Sequence, residues 1–229
     1  MIKLRNTLTT SFLTCVVLIS GCQNEAQTDQ TAPTTSASNT SEFASVFNGE
    51  NLDGWVGNTE GYGVQDGNLV CLKDGGGNLY IDKEYSNFEL QFEFKLESGG
   101  NNGLGIRAEQ GKDAAYYGME LQILDDTADE YAELEPWQYH GSIYGVVASK
   151  KGFQKAIGEW NQQTVVANGD QITIVLNGET IVDANIREAG SPKTIDDKDH
   201  PGLFNESGYI GFLGHGHRVE FRNIKIREL

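Results

Sequence analysis

The sequence is short of base, of proline and of cysteine. Its 229 residues hold 17 Lys plus Arg against 33 Asp plus Glu, a formal charge of −16 at pH 7. That shortage excludes a phosphate-tracking nucleic-acid binder, which needs a basic surface to release counterions. It equally excludes polybasic attachment to anionic lipid. A neutral or cationic partner suits the charge better, and sugar is one neutral candidate. Only four prolines stand beside 28 glycines, and aromatics make up 10%. This fits a folded, turn-rich chain rather than a disordered one. Three cysteines cannot build a disulfide framework. Cys15 lies in the apolar N-terminal segment and Cys22 ends it. Cys71, within Asn68-Leu-Val-Cys-Leu72, has apolar neighbours and nothing to activate it, so it reads as a buried strand residue rather than a nucleophile.

Long apolar runs are also lacking. The apolar stretch from Phe12 to Ile19 follows Lys3 and Arg5 and is too short to span a bilayer comfortably, so it reads as a signal peptide. It closes on Leu18-Ile19-Ser20-Gly21-Cys22, which resembles the lipobox of bacterial lipoproteins. That resemblance implies cleavage before Cys22 and lipid attachment there, with more than one acyl chain for stable anchoring. Gln23 in place of an acidic residue points to the outer membrane of the cell envelope. Loss of residues 1–21 removes two basic residues and no acidic one, taking −16 to −18. Residues 22–42 read as a flexible tether, since 23–41 hold no aromatic or large aliphatic side chain. The folded domain is expected over 43–229.

That body reads as strands. Phe88–Leu96 alternates apolar residues with Glu89, Gln91, Glu93 and Lys95, a period of two with one buried face. Leu104/Ile106/Ala108 and Met119/Leu121/Ile123 repeat the pattern. Thr164–Ala167, Ile172–Leu176 and Thr180–Asp183 read as a meander joined through Asn168-Gly169-Asp170 and Asn177-Gly178. Asp66-Gly67 predicts a turn before Asn68–Leu72. Tyr209–Leu213 and Val219–Arg227 close the chain. Val219 and Phe221 share one parity and Ile224 and Ile226 the other, which predicts a bulge near Arg222-Asn223. Thr127–Glu135 is the one short helix expected, capped by Thr127 and ended by Pro136. Many short strands with glycine-rich turns imply an all-β, two-sheet antiparallel sandwich.

The alternation sends Met119, Leu121 and Ile123 to the core and Glu120 and Gln122 to the opposite face. Arg107 stands in the same relation to Leu104 and Ile106, so these three polar residues are expected to meet in an open groove. The loop Glu135-Pro-Trp-Gln-Tyr-His-Gly-Ser-Ile-Tyr144 gathers Trp137, Tyr139 and Tyr144 beside His140. Aromatic faces suit the apolar faces of pyranose rings, and His140 is a candidate acid, base or ligand. Asp125 and Asp126 are candidates for a hard cation. His215 and His217 form a candidate chelating pair at the last turn, though such neighbours usually diverge. His200 suggests no role.

Five segments in order resemble one family: Phe47-Asn-Gly49 with Leu52-Asp-Gly-Trp55, Gly118-Met-Glu-Leu-Gln-Ile-Leu-Asp-Asp126, His140-Gly-Ser-Ile-Tyr144, Gly158-Glu-Trp-Asn161, and Gly208–Gly216 with Phe221-Arg-Asn-Ile224. The chain is similar to the 3-keto-disaccharide hydrolases, a family common among bacterial lipoproteins, and the match spans 43–229. The resemblance implies a concanavalin-like jelly roll that cleaves glycosides oxidised to a ketone at C3. A C3 ketone acidifies the C2 proton, and loss of the C1 substituent follows by elimination, then hydration. This needs a base at C2, a positive group or metal at the enolate oxygen, and an acid for the leaving oxygen.

On that resemblance Glu120 is the leading base, with Asp125 and His140 as further acid or base candidates. Arg107 and Gln122 are expected to bind substrate, Tyr144 to donate to the leaving oxygen, Trp137 to stack on the ring, and His215 to reach the same site. A divalent metal ion is a candidate cofactor. The partners expected are a carbohydrate substrate and a membrane met through Cys22. Nothing sets an oligomeric state. The competing readings are a non-catalytic lectin-like binding module on the same sandwich and a structural envelope protein. Neither needs a base.

Overall fold

The computed structural model describes residues 42–229. The signal segment, most of the tether, Cys15 and Cys22 lie outside the described residues. Within them the antiparallel jelly-roll sandwich expected from the alternation is present. One sheet has the order β11-β10-β9-β6-β13-β4-β3, with β1 also pairing β13. Its strands are β1 (Ala44–Ser45), β3 (Tyr62–Gln65), β4 (Asn68–Cys71), β6 (Phe88–Leu96), β9 (Asn161–Asn168), β10 (Gln171–Leu176), β11 (Glu179–Asn185) and β13 (Val219–Glu228). The second sheet has the order β2-β5-β12-β7-β8. It comprises β2 (Trp55–Gly57), β5 (Gly77–Tyr85), β7 (Asn101–Ala108), β8 (Met119–Leu124) and β12 (Gly208–Gly214).

The core lies between the sheets. In β6 every second residue from Phe88 to Leu96 is buried, as the period-two pattern requires. Phe212 of β12 stacks on Phe221 of β13 with ring centroids 3.7 Å apart, so the two sheets meet through aromatic faces. Cys71 is fully buried there, and burial pushes its thiol pKa up, the opposite of activation. Two turns follow from residue type. Asp66-Gly67 has φ of 52° and 76°, and Asn177-Gly178 has 51° and 92°. Paired positive φ values match the right-handed twist of the flanking strands. The bulge in β13 falls where the parity changes: its register with β6 shifts between Arg222 and Lys225, with Asn223 at φ 53°.

Two elements differ. Ile186–Ala189 forms a one-turn α-helix, α1, whose N-cap Asn185 side chain accepts from the Arg187 and Glu188 N–H groups. Thr127–Glu135 forms no α-helix. A single 3-10 turn covers Asp129–Tyr131 and a second covers Pro136–Gln138. The Thr127 hydroxyl donates to the Asp125 carboxylate at 2.6 Å, so it points backwards instead of capping a helix. Pro136, expected as a terminator, starts the second turn, where its fixed φ is already suitable.

The open edge of β8 sets up the site. The chain after Gly141 lies along it: Gly141 N–H donates to Gln122 O, Gln122 N–H to Ser142 O and Tyr144 N–H to Glu120 O, at 2.7, 3.0 and 2.9 Å. This segment covers an edge that would otherwise expose unpaired backbone. It also brings Tyr144 beside Glu120.

Candidate active site

Glu120, Gln122 and Leu124 project from β8 away from the core. Across the sheet their partners are Gly105, Gly103 and Asn101 of β7, and Gly105 in turn pairs with Gly211 of β12. The floor beside Glu120 is therefore bare backbone. The glycine at 103 makes room for the acid: a Cβ there would stand 2.1 Å from Glu120 Oε1. Above this floor is a cavity of about 290 Å³, lined by Glu120, Gln122, His215, Tyr144, Tyr116, Asp113 and neighbours. Its size sits at the small end of ligand pockets and suits about one sugar ring.

The Glu120 carboxylate is 7% exposed as a residue, and its buried Oε1 accepts no hydrogen bond. His215 Nε2 lies 3.5 Å from that oxygen. This is ion-pair range but the limit of hydrogen-bond geometry, so lone pairs on Oε1 remain free for a substrate proton. The contact with Glu120 raises the His215 pKa above its ordinary value against the opposing effect of burial, and the charge of Asp113 adds to the rise. The cavity thus holds a buried carboxyl group and an imidazole, whose protonated form it favours, side by side. Gln122 Nε2 donates to Asn101 Oδ1 at 2.8 Å, which fixes its amide. The Tyr144 hydroxyl accepts from Gln138 Nε2 at 3.0 Å, leaving its own hydrogen free.

Four expected site residues stand elsewhere. His140 faces the core: its ring lies 5.0 Å from that of Phe94, and Nδ1 accepts the Leu124 N–H at 3.4 Å. Burial pushes its pKa down to about 4, so it is neutral and screened from the cavity. The reason is Gly141, whose φ of 77° breaks the alternation between His140 and the edge segment. Asp125 is also turned away. Its oxygens accept the Gly99 N–H and the Thr127 N–H, both at 2.9 Å, and the Thr127 hydroxyl. It organises a turn instead of presenting an acid.

Arg107 does not join Glu120 and Gln122. It has φ 47°, and the register of β7 with β12 skips there, from Tyr209↔Ala108 to Gly211↔Gly105. The bulge re-aims the guanidinium, which donates to Ser86 O at 3.0 Å and Gly169 O at 2.9 Å, pinning two turns at the end of the sandwich. Trp137 packs edge-on to Tyr144 at 4.9 Å and backs that ring rather than lining the cavity.

His215, not Arg107, is the basic side chain beside Glu120. Tyr116, Asp113 and Asn101 complete the walls and carry no periodic signal, because the first two sit on the loop between β7 and β8. The Tyr116-Tyr117 pair in a glycine-flanked loop was the available hint. Among the described residues no group of three His, Cys, Asp or Glu converges as a metal site. Glu120 and His215 alone do not make the donor set a divalent ion needs.

Residues 42–227 match the 3-keto-alpha-glucoside-1,2-lyase-like domain. A 3-keto-disaccharide hydrolase of Bacteroides thetaiotaomicron is 25% identical over 82% of this chain and 78% of its own length. A crystal structure of a candidate glycosyl hydrolase from Parabacteroides distasonis is 32% identical, covers 82% of this chain and all of that one, and superposes with a TM-score of 0.72. A Bacillus subtilis protein with a galectin-like fold, 13% identical over 73% of this chain and 86% of its own, reaches 0.50 and shares the fold.

Proposed function

The chain belongs to the 3-keto-alpha-glucoside-1,2-lyase-like family, and from that premise we propose that it cleaves 3-keto-glycosides by removing the C2 proton. The observation that carries this is Glu120: a buried carboxylate in the cavity wall on a glycine floor, with no hydrogen bond to its Oε1 and His215 Nε2 3.5 Å from that oxygen. A base needs a free lone pair and a dry setting, and Glu120 has both. The C3 carbonyl is one bond from C2, so a cation adjacent to the base stands where enolate charge develops. His215 takes that role. Gln122, held by Asn101, orients a sugar hydroxyl, and Tyr144 donates its free hydrogen to a substrate oxygen.

The electrons follow a closed course. The C2–H bond breaks, its proton passes to Glu120 and its pair runs to O3. When the C1–O bond breaks, C1=C2 forms and C3=O is restored. Water then adds across C1=C2 to give the free 3-keto sugar. An ordinary glycosidase instead flanks C1 with two carboxylates, and the orientation of Asp125 into its own turn speaks against that arrangement here.

Upstream, the Leu18–Cys22 pattern supports lipid attachment at Cys22, which holds the acidic domain on a tether at the cell envelope, in the outer membrane. The mass of the mature N-terminal peptide tests this. The activity is tested by incubating the protein with a 3-keto-disaccharide and following release of the unoxidised sugar. Release at a rate proportional to protein supports the proposal. Saturable binding without release makes the protein a lectin-like module and contradicts it.

A further inference from the structure

The segment between β11 and β12 carries a buried pair that the reaction above leaves unused. The Asp196 and His200 side chains are each 1% exposed, with Nε2 3.1 Å from Oδ1. Nδ1 of His200 lies 3.0 Å from the Ala115 carbonyl, and the ring packs 4.9 Å from that of Tyr116. On its other side the pair meets Gly145: Asp196 N–H donates to Gly145 O at 3.2 Å, and a Cβ on Gly145 would stand 2.5 Å from Asp196 Oδ2. One buried unit thus clamps the backbone carrying Tyr116 and the backbone carrying Tyr144, two of the three phenols that line the cavity. From the same segment Lys198 Nζ donates to the Tyr116 hydroxyl at 2.9 Å.

We propose that Tyr116, paired with Lys198, is the general acid that protonates the departing glycosidic oxygen, and that Asp196–His200 is its positioning unit. This rests on reading the cavity as a 3-keto-glycoside site. Because the ammonium occupies the phenol oxygen as donor, the phenol hydrogen is left for a different acceptor. Once that hydrogen has gone, the phenolate stands against a positive charge. Tyr144 lacks this direct contact, since its oxygen is met by the neutral amide of Gln138. The Lys198 pKa is itself pushed up by the contact with Tyr116. The protons balance over the cycle. In elimination the leaving oxygen takes the Tyr116 hydrogen while Glu120 takes the C2 proton. In hydration the Tyr116 phenolate takes a proton from the water that bonds to C1, and Glu120 returns its proton to C2. No oxidant or reductant is needed.

The test compares two leaving groups. A sugar alkoxide needs a proton to depart, whereas 4-nitrophenolate leaves without one. Tyr116→Phe should lower kcat on a 3-keto-disaccharide by ~10²–10⁴-fold, the usual worth of a general acid. On the 4-nitrophenyl 3-keto-glucoside the loss should be less than about tenfold, and solvent deuterium should still enter C2. Lys198→Gln, at an exposed residue whose loss the fold tolerates, should show the same selectivity in weaker form. His200→Gln should also widen the gap between the two substrates, which a general loosening of the fold would not do. Equal losses on both substrates, or an unchanged rate on the disaccharide, overturn the role of Tyr116. A wild-type protein that neither exchanges C2 nor releases either leaving group overturns the cavity reading itself, and this role with it.

Discussion

Replacing Gly103 with alanine tests the placement of Glu120 without touching its chemistry. Gly103 is not among the positive-φ positions, so alanine brings no backbone strain. The new methyl would lie 2.1 Å from Glu120 Oε1 and 2.8 Å from its Cδ, whereas real Cβ contacts begin near 3.0 Å. The carboxylate must retreat by roughly 1 Å, and it is the end of a flexible side chain, so the fold loses little. A misplacement of about 1 Å at a reacting group costs ~10²-fold in rate. The expected result is therefore a Tm close to wild type with kcat on a 3-keto-disaccharide reduced about a hundredfold. Melting by circular dichroism and initial rates from sugar release suffice. A folded Gly103→Ala protein that turns over at the wild-type rate would refute the reasoning, because the position of Glu120 would then not matter.

Two further outcomes depend on pH. The folded His140 titrates at about 4 against about 6.5 when unfolded, so between those values the unfolded chain binds a proton that the folded ring refuses. The stability is complete above the unfolded value and is lost as pH falls, by ~2 kcal/mol from pH 7 to pH 5. Urea unfolding at the two pH values measures it, and His140→Gln should flatten the dependence while keeping turnover. The His215 pKa is raised by Glu120, so its cation persists below that raised value and disappears as pH rises through it. A plot of kcat/KM against pH should fall on the alkaline side, and His215→Gln should remove that limb along with most of the rate.

What the sequence made legible, and what it hid, divides along backbone conformation. Period-two alternation placed β6, β8 and the meander, and it put Glu120 and Gln122 on the face opposite Met119, Leu121 and Ile123. Asp66-Gly67 and Asn177-Gly178 announced their turns, and the parity change announced the bulge at Asn223. The same logic failed at Arg107, because a positive φ there reverses the face without leaving a mark in the hydrophobic pattern, and His140, read from its aromatic loop and not from alternation, is turned to the core beside the positive φ of Gly141. Asp125 was misjudged for another reason: a lone acid after a strand looks the same in sequence whether it serves a turn or a substrate. Tyr116 and Lys198 were out of reach because they lie on loops 82 residues apart, joined only by tertiary packing. The small-residue positions 103, 105 and 211 were visible as glycines, but their common function as a floor needed the strand register.

The central claim is that Glu120 removes the C2 proton of a 3-keto-glycoside. Deuterium uptake from D₂O, followed by mass spectrometry and NMR of the sugar, reads that step directly. Wild-type protein should place one solvent deuterium at C2 of the keto sugar in step with cleavage. Glu120→Gln, which keeps the shape of the side chain and removes its basicity, should still bind the substrate but neither exchange C2 nor release the leaving sugar. Exchange and release at the wild-type rate in the folded Glu120→Gln protein would contradict the account.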